Sequence, residues 1–178
     1  DLDKFRWMAG EYLRRMTLEE LADACAPFVV AAKLTSAEDL AARRAWFVEV
    51  VKSEQARIHI YSELPPRIAY LFQPDDAVVW TDEPLAAVRK HANAAQTLVD
   101  FRAWLAPRIE RGVDAAELRE SAKKWAQEKG LKLPAFFQPV RLALSGVVQG
   151  ADLFDVMALL GPERVLTRLE RAAARLAS

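Results

Sequence analysis

The chain has 178 residues, 52% of them hydrophobic, enough apolar material for one large or two small cores. Its 25 Lys and Arg are matched by 25 Asp and Glu, which argues against holding a polyanion by net charge alone. A single cysteine, Cys25, excludes an internal disulfide, and no apolar run reaches the ~20 residues of a membrane-spanning helix.

Abundant alanine with six Gly and nine Pro favours helix over sheet. The opening, DLDKFRWMAGEYLRRM, has Phe5, Met8, Tyr12 and Met16 at helical spacing, and Gly10 is a weak point in that helix. With no initiator Met, this start reads as part of something longer. Thr17 and Glu20 form a capping box ahead of LADACAPFVV, a helix expected to stop or bend at Pro27. Within it, Cys25 reads as a small core residue. A third helix is expected from Thr35 or Ser36 to about Glu63, with Leu40, Phe47, Val51, Ile58 and Tyr61 on one side and Pro65-Pro66 as its end.

IAYLFQPDDAVV reads as a short apolar turn and a loop, and the subdomain boundary is placed at Asp76 (1–76 and 77–178). Asp82, Glu83 and Pro84 open a fourth helix carrying Leu85, Val88, Ala92 and Ala95. TLVDFRAWLAPRIERG follows and ends at Gly112. Asp114 and Glu117 cap a sixth helix, in which Leu118, Ala122 and Trp125 share a face and which Gly130 closes. Three more helices, LPAFFQPVRLALSG, ADLFDVMALLG and PERVLTRLERAAARLAS, are divided by Gly146 and Gly161. The sum is an all-α chain of about nine helices in two packed subdomains.

Charge divides unevenly on this reading. Residues 1–82 carry 10 basic and 14 acidic side chains, and residues 83–178 carry 15 and 11, so a polyanion should lean on the second half. Neither His59 nor His91 has a partner at metal-ligand spacing, and there is no phosphate loop or nucleophile elbow. No catalytic group, metal or cofactor is expected in the chain itself.

Three segments resemble the C-terminal region of glutamyl-tRNA synthetases. DKFRWMAGEYLRRMTLEEL is similar to that family's "KL-x-W-M-N-G-x-Y-I-R" stretch, with Lys4, Trp7, Met8, Gly10, Tyr12 and Arg14 in the shared positions and Ala9 in place of Asn. QARIHIYSELPPRIAYLF resembles a second motif. FFQPVRLALSGVVQGADLFDVMALLGPERVLTRLERA resembles the family's C-terminal signature and is the most specific of the three. The resemblance runs from Lys4 to Ala172 and leaves out the class I catalytic half. It implies two helical subdomains that hold the anticodon stem-loop of glutamate tRNA. It also implies a parent enzyme that ligates glutamate to that tRNA with ATP and Mg in its missing catalytic domain.

Site residues follow from the same resemblance. Arg57 stands where the family reads the third anticodon base, a cytosine. A guanidinium donates only, which suits the O2 and N3 acceptors of cytosine and opposes the donors of guanine. Arg141 stands where the family reads the first two bases, with Gln138 on the same helical face. Gln149 and Gly150 fall in the RNA-contacting loop. Leu153 or Phe154 could support an unstacked base, although their apolar helix reads as core. Lys4, Lys123 and Lys124 are candidate backbone contacts, the last two weighed against a solvated helix face. Arg164, Arg168, Arg171 and Arg175 read mainly as a solvated face, with intrahelical pairs to Glu170 as the alternative. The expected partners are glutamate tRNA and the parent's own catalytic domain, with no membrane, in a cytoplasmic monomer. The competing readings are a stand-alone helical interaction protein on the same scaffold and, disfavoured by the lack of convergent polar groups, an enzyme in its own right.

Overall fold

A computed structural model describes residues 1–178 as eleven α-helices and two 3-10 turns without a strand. They form two compact units, Asp1–Phe72 and Gln73–Ser178. The division lies four residues before the expected one, because Asp75 is bound by side chains of the second unit.

In the first unit, α1 (Leu2–Arg15) is followed by α2 (Leu18–Ala31), which opens with the reciprocal Thr17–Glu20 capping box. Pro27 lies inside α2 and does not end it. Leu21, Ala22, Cys25 and Val29 are fully buried on both sides of that proline, and their burial offsets the hydrogen bond it removes. The same burial pushes the Cys25 thiol up to about 12, as fits an inert core residue.

The long third helix is not formed. Ala37–Ala42 (α3) breaks at Arg43, and Arg44–Glu54 (α4) ends nine residues early. Ile58 leaves the helix yet is fully buried, held by its N–H to the Glu54 carbonyl. Pro65 and Pro66 sit in the first turn of Leu64–Ile68 (α5), after a 3-10 turn at Tyr61–Glu63. They start a helix instead of ending one, since a first-turn proline loses no intrahelical bond.

The expected first helix is present as α1, and its apolar stripe faces outward within this unit. The helix forms through Gly10, but Phe5, Met8 and Tyr12 are exposed, together with Leu2 and Trp7; only Gly10 and Leu13 are buried. A Cβ at Gly10 would stand 2.7 Å from the His59 ring, so the helix approaches that ring only because no side chain intervenes.

The second unit contains α6 (Asp82–Arg89), α7 (Ala94–Glu110), α8 (Ala115–Glu128), α9 (Leu133–Ser145), α10 (Leu153–Leu160) and α11 (Pro162–Ala177). Its core is an aromatic cluster: Phe101 lies 4.8 Å from Phe136 and 5.4 Å from Trp125, centroid to centroid. α6 is shorter than expected, so Ala92 falls in the turn after it and Ala95 in α7. Val88, Ala94 and Leu142 form a separate buried cluster that packs this turn on α9.

The α11 arginines are only in part the solvated face expected of them: Arg171 and Arg175 are exposed, whereas Arg164 is half-buried and Arg168 is buried. Arg168 is 1% exposed. Its Nε donates to Asp75 at 2.6 Å, and its guanidinium also reaches the Leu144 and Gln73 carbonyls. Arg164 donates to the same carboxylate at 3.0 Å, and Arg175 covers the Trp80 ring at 3.8 Å while donating to the Val78 carbonyl. Together they fix the segment from Gln73 to Trp80.

Candidate anticodon-loop interface

The candidate residues are divided between the two units. Lys4 and Arg57 belong to the first. Lys4 is exposed on α1. Arg57 is exposed in the turn after α4, not on a helix face, and its Nη1 donates to the Ser53 carbonyl at 3.1 Å. One residue further, the chain is anchored by buried Ile58, so the exposed guanidinium is carried on a fixed backbone.

Gln138, Arg141, Gln149 and Gly150 belong to the second unit, where α9 and the loop after it meet. Gln138 and Arg141 are half-buried one helical turn apart on α9, flanked by buried Val140 and Leu142. Arg141 Nη1 donates to the Ala151 carbonyl at 2.6 Å and so ties its own helix to the far end of the loop. The near end is fixed at Gly146, whose φ is +78° and where a Cβ would stand 2.1 Å from the Val79 carbonyl oxygen. Any side chain would demand both a left-handed backbone and displacement of that carbonyl. Gln149 is exposed and Gly150 half-buried in the loop so held.

Asp152 closes the loop. Its carboxylate caps α10 through the N–H groups of Phe154 and Asp155 and pairs with Arg119 of α8 at 2.8 Å. Burial would raise its pKa, but the Arg119 hydrogen bonds and the helix N–H groups together hold it below the ordinary carboxylate value. Leu153 and Phe154 are buried, 1% and 2% exposed, and belong to the core instead of a base-stacking surface. On α8, Lys124 is exposed without an ion pair, while Lys123 is engaged with Glu120 at 3.4 Å.

Residues 20–173 match the profile of the anticodon binding domain. The chain belongs to the anticodon binding domain family. Among curated relatives of this anticodon binding domain, it is 38% identical over 175 residues to a glutamate–tRNA ligase of Thermus thermophilus, covering 98% of the chain and 35% of that protein. It is 33% identical to the glutamate–tRNA ligase of Symbiobacterium thermophilum, covering 95% and 34%. The domain thus spans about a third of the length of the curated relatives it matches. Its fold is that of part of a glutamate tRNA ligase from Elizabethkingia meningosepticum, with a TM-score of 0.77 at 20% identity over 96% of the chain and 32% of that protein.

Two features of this anticodon binding domain escaped the sequence reading. Arg119 and Asp152 are 33 residues apart and form a pair only because α8 lies beside α10. His91, dismissed as a metal ligand, has its Nε2 2.8 Å from Gln138 Oε1. The capping-box pattern could have suggested Asp152 as a cap, but no spacing rule links position 91 to 138.

Proposed function

We propose that the chain is the anticodon-reading part of a glutamate–tRNA ligase, supplying specificity and no chemistry. The observation that carries this reading is the convergence on one short surface of Gln138, Arg141 and a loop pinned at Gly146, Ala151 and Asp152, within a chain of the anticodon binding domain family. Splayed bases of a single-stranded loop are read by donors and acceptors held in fixed positions. Arg141 and Gln138 supply these from a helix, and the region of Gln149 and Gly150 supplies backbone and short polar contacts.

Arg57 reads the third anticodon base from the turn after α4, and Lys4, Lys123 and Lys124 contact phosphates. Activation of glutamate with ATP and Mg belongs to a catalytic part outside this chain. The exposed apolar side of α1, with Phe5, Trp7, Met8 and Tyr12, is the surface that part covers. The whole protein is a cytoplasmic monomer.

The test is a titration of the chain with the anticodon stem-loop of glutamate tRNA against a hairpin of the same stem with an unrelated loop. Preference for the first is expected. Its affinity should fall with salt by a log–log slope of about 0.7 per single-stranded phosphate contacted. Equal affinity for both hairpins would mean that the loop is not read and that the surface serves another partner.

A further inference from the structure

We infer that His91 is a positioning residue that fixes which end of the Gln138 amide faces the RNA, and thereby makes this face of α9 a surface of hydrogen-bond donors. The inference rests on the anticodon-reading proposal.

His91 lies in the turn between α6 and α7. Its N–H donates to the Val88 carbonyl at 3.0 Å, and its carbonyl accepts from Ala94 N–H at 3.2 Å. Val88 and Ala94 are buried with Leu142 of α9, so the turn is held against the helix that carries Gln138. The imidazole therefore meets Gln138 from a rigid backbone.

The polarity of the contact follows from the atoms. Gln138 Oε1 can only accept, so the His91 Nε2 that lies 2.8 Å away carries the proton. With its oxygen occupied, the amide presents its NH2 group on the other side. That nitrogen has no partner within the chain and is not buried. One turn on, Arg141 is donor-only by its chemistry. The two side chains then favour base edges rich in acceptors, such as the carbonyl oxygens of pyrimidines. Without His91 the amide is free to turn by half a revolution and offer an acceptor instead.

The experiment is a double-mutant cycle on the full chain, read as affinity for the glutamate tRNA anticodon stem-loop, with a thermal melt of every variant. Gln138→Ala should weaken binding about tenfold, on the scale of a lost base contact, and His91→Phe by a similar factor. His91→Gln, which keeps an N–H donor at the reach of Nε2, should stay within about twofold of the parent. In the Gln138→Ala background His91→Phe should add nothing, because it acts only through that amide. His91→Leu replaces His91→Phe if the latter does not fold.

Losses that simply add would overturn the inference, since His91 would then act by another route. So would full affinity of His91→Phe beside a weakened Gln138→Ala, which leaves the anticodon reading standing. Full affinity of Gln138→Ala would remove both the inference and the assignment of this α9 face to RNA.

Discussion

Arginines with the same spacing on α11 have different surroundings, and the difference decides what each substitution does. Arg168→Met leaves the Asp75 carboxylate and the Gln73 carbonyl to Arg164 alone and the Leu144 carbonyl without its donor, and should cost about 3 kcal/mol in urea unfolding. Arg171 is exposed, and its replacement by alanine should cost a few tenths of that at most. The sequence displays the spacing of these residues but not Asp75, some ninety positions away, which converts charge into structure. Glu54 illustrates the converse. It is buried, its Oε2 has no hydrogen bond, and Arg67 stands 3.7 Å away, so burial raises its pKa above 4.5. A raised carboxyl favours the folded state most below the unfolded value and loses that advantage as pH rises through the folded value. The stability of the parent relative to Glu54→Gln should therefore fall as pH rises from 4.5 toward neutrality; a flat difference in urea midpoints would show that Glu54 is solvated. On the proposed function, Arg57→Gln in the longer protein should narrow the kcat/KM ratio of glutamate to glutamine tRNA by a factor equivalent to about 1–3 kcal/mol, because an amide carries both a donor and an acceptor. An unchanged ratio in a folded variant would make Arg57 a surface charge.

Helix caps were legible from local chemistry, and the effect of prolines and long-range burial was not. The Thr17, Asp114 and Gly146 signals each mark a real helix end, because cap energetics involve residues within one turn. The end of α4 carries no breaker: Gln55, Ala56 and Arg57 leave the helix so that Ile58 can be buried. Likewise Pro65-Pro66 fits both the end of one helix and the first turn of the next, and only tertiary packing decides. The α1 stripe was legible as a helix but not as an exposed face. If that face is covered in the longer protein, amide hydrogen exchange across Phe5–Tyr12 should be markedly slower there than in the isolated chain; equal exchange would leave the face without a partner. At the start of the loop after α9, Gly146→Ala should destabilise the second unit by more than the ~1 kcal/mol of an ordinary glycine exchange, since Val79 must move. On the proposed function it should weaken stem-loop binding as well, through the loop it starts.

Taken over the whole molecule, the charge bias expected for RNA is absent once the units are divided at their structural boundary. Residues 1–72 hold 10 basic and 11 acidic side chains, and residues 73–178 hold 15 and 14. The apparent excess of the second half came from a cut that gave Asp75, Asp76 and Asp82 to the first. Asp75 in fact neutralises Arg164 and Arg168. On the proposed function, near-zero charge on both units leaves recognition to a few placed donors, which favours loop sequence over bulk phosphate attraction. All-α class and family membership were legible because helical periodicity and the QPVRLALSG segment are local signals. The contacts of Gln138 with His91 and of Asp152 with Arg119 join distant positions and had to be seen. The most direct measurement is the affinity of the parent chain and of Arg141→Ala for the glutamate tRNA stem-loop and for the same stem-loop with its first two anticodon bases exchanged. The account predicts that the parent binds the natural loop more tightly, by about tenfold or more, and that Arg141→Ala removes most of that difference while remaining folded. A parent chain that binds both loops alike, or a variant that discriminates as well as the parent, would contradict it.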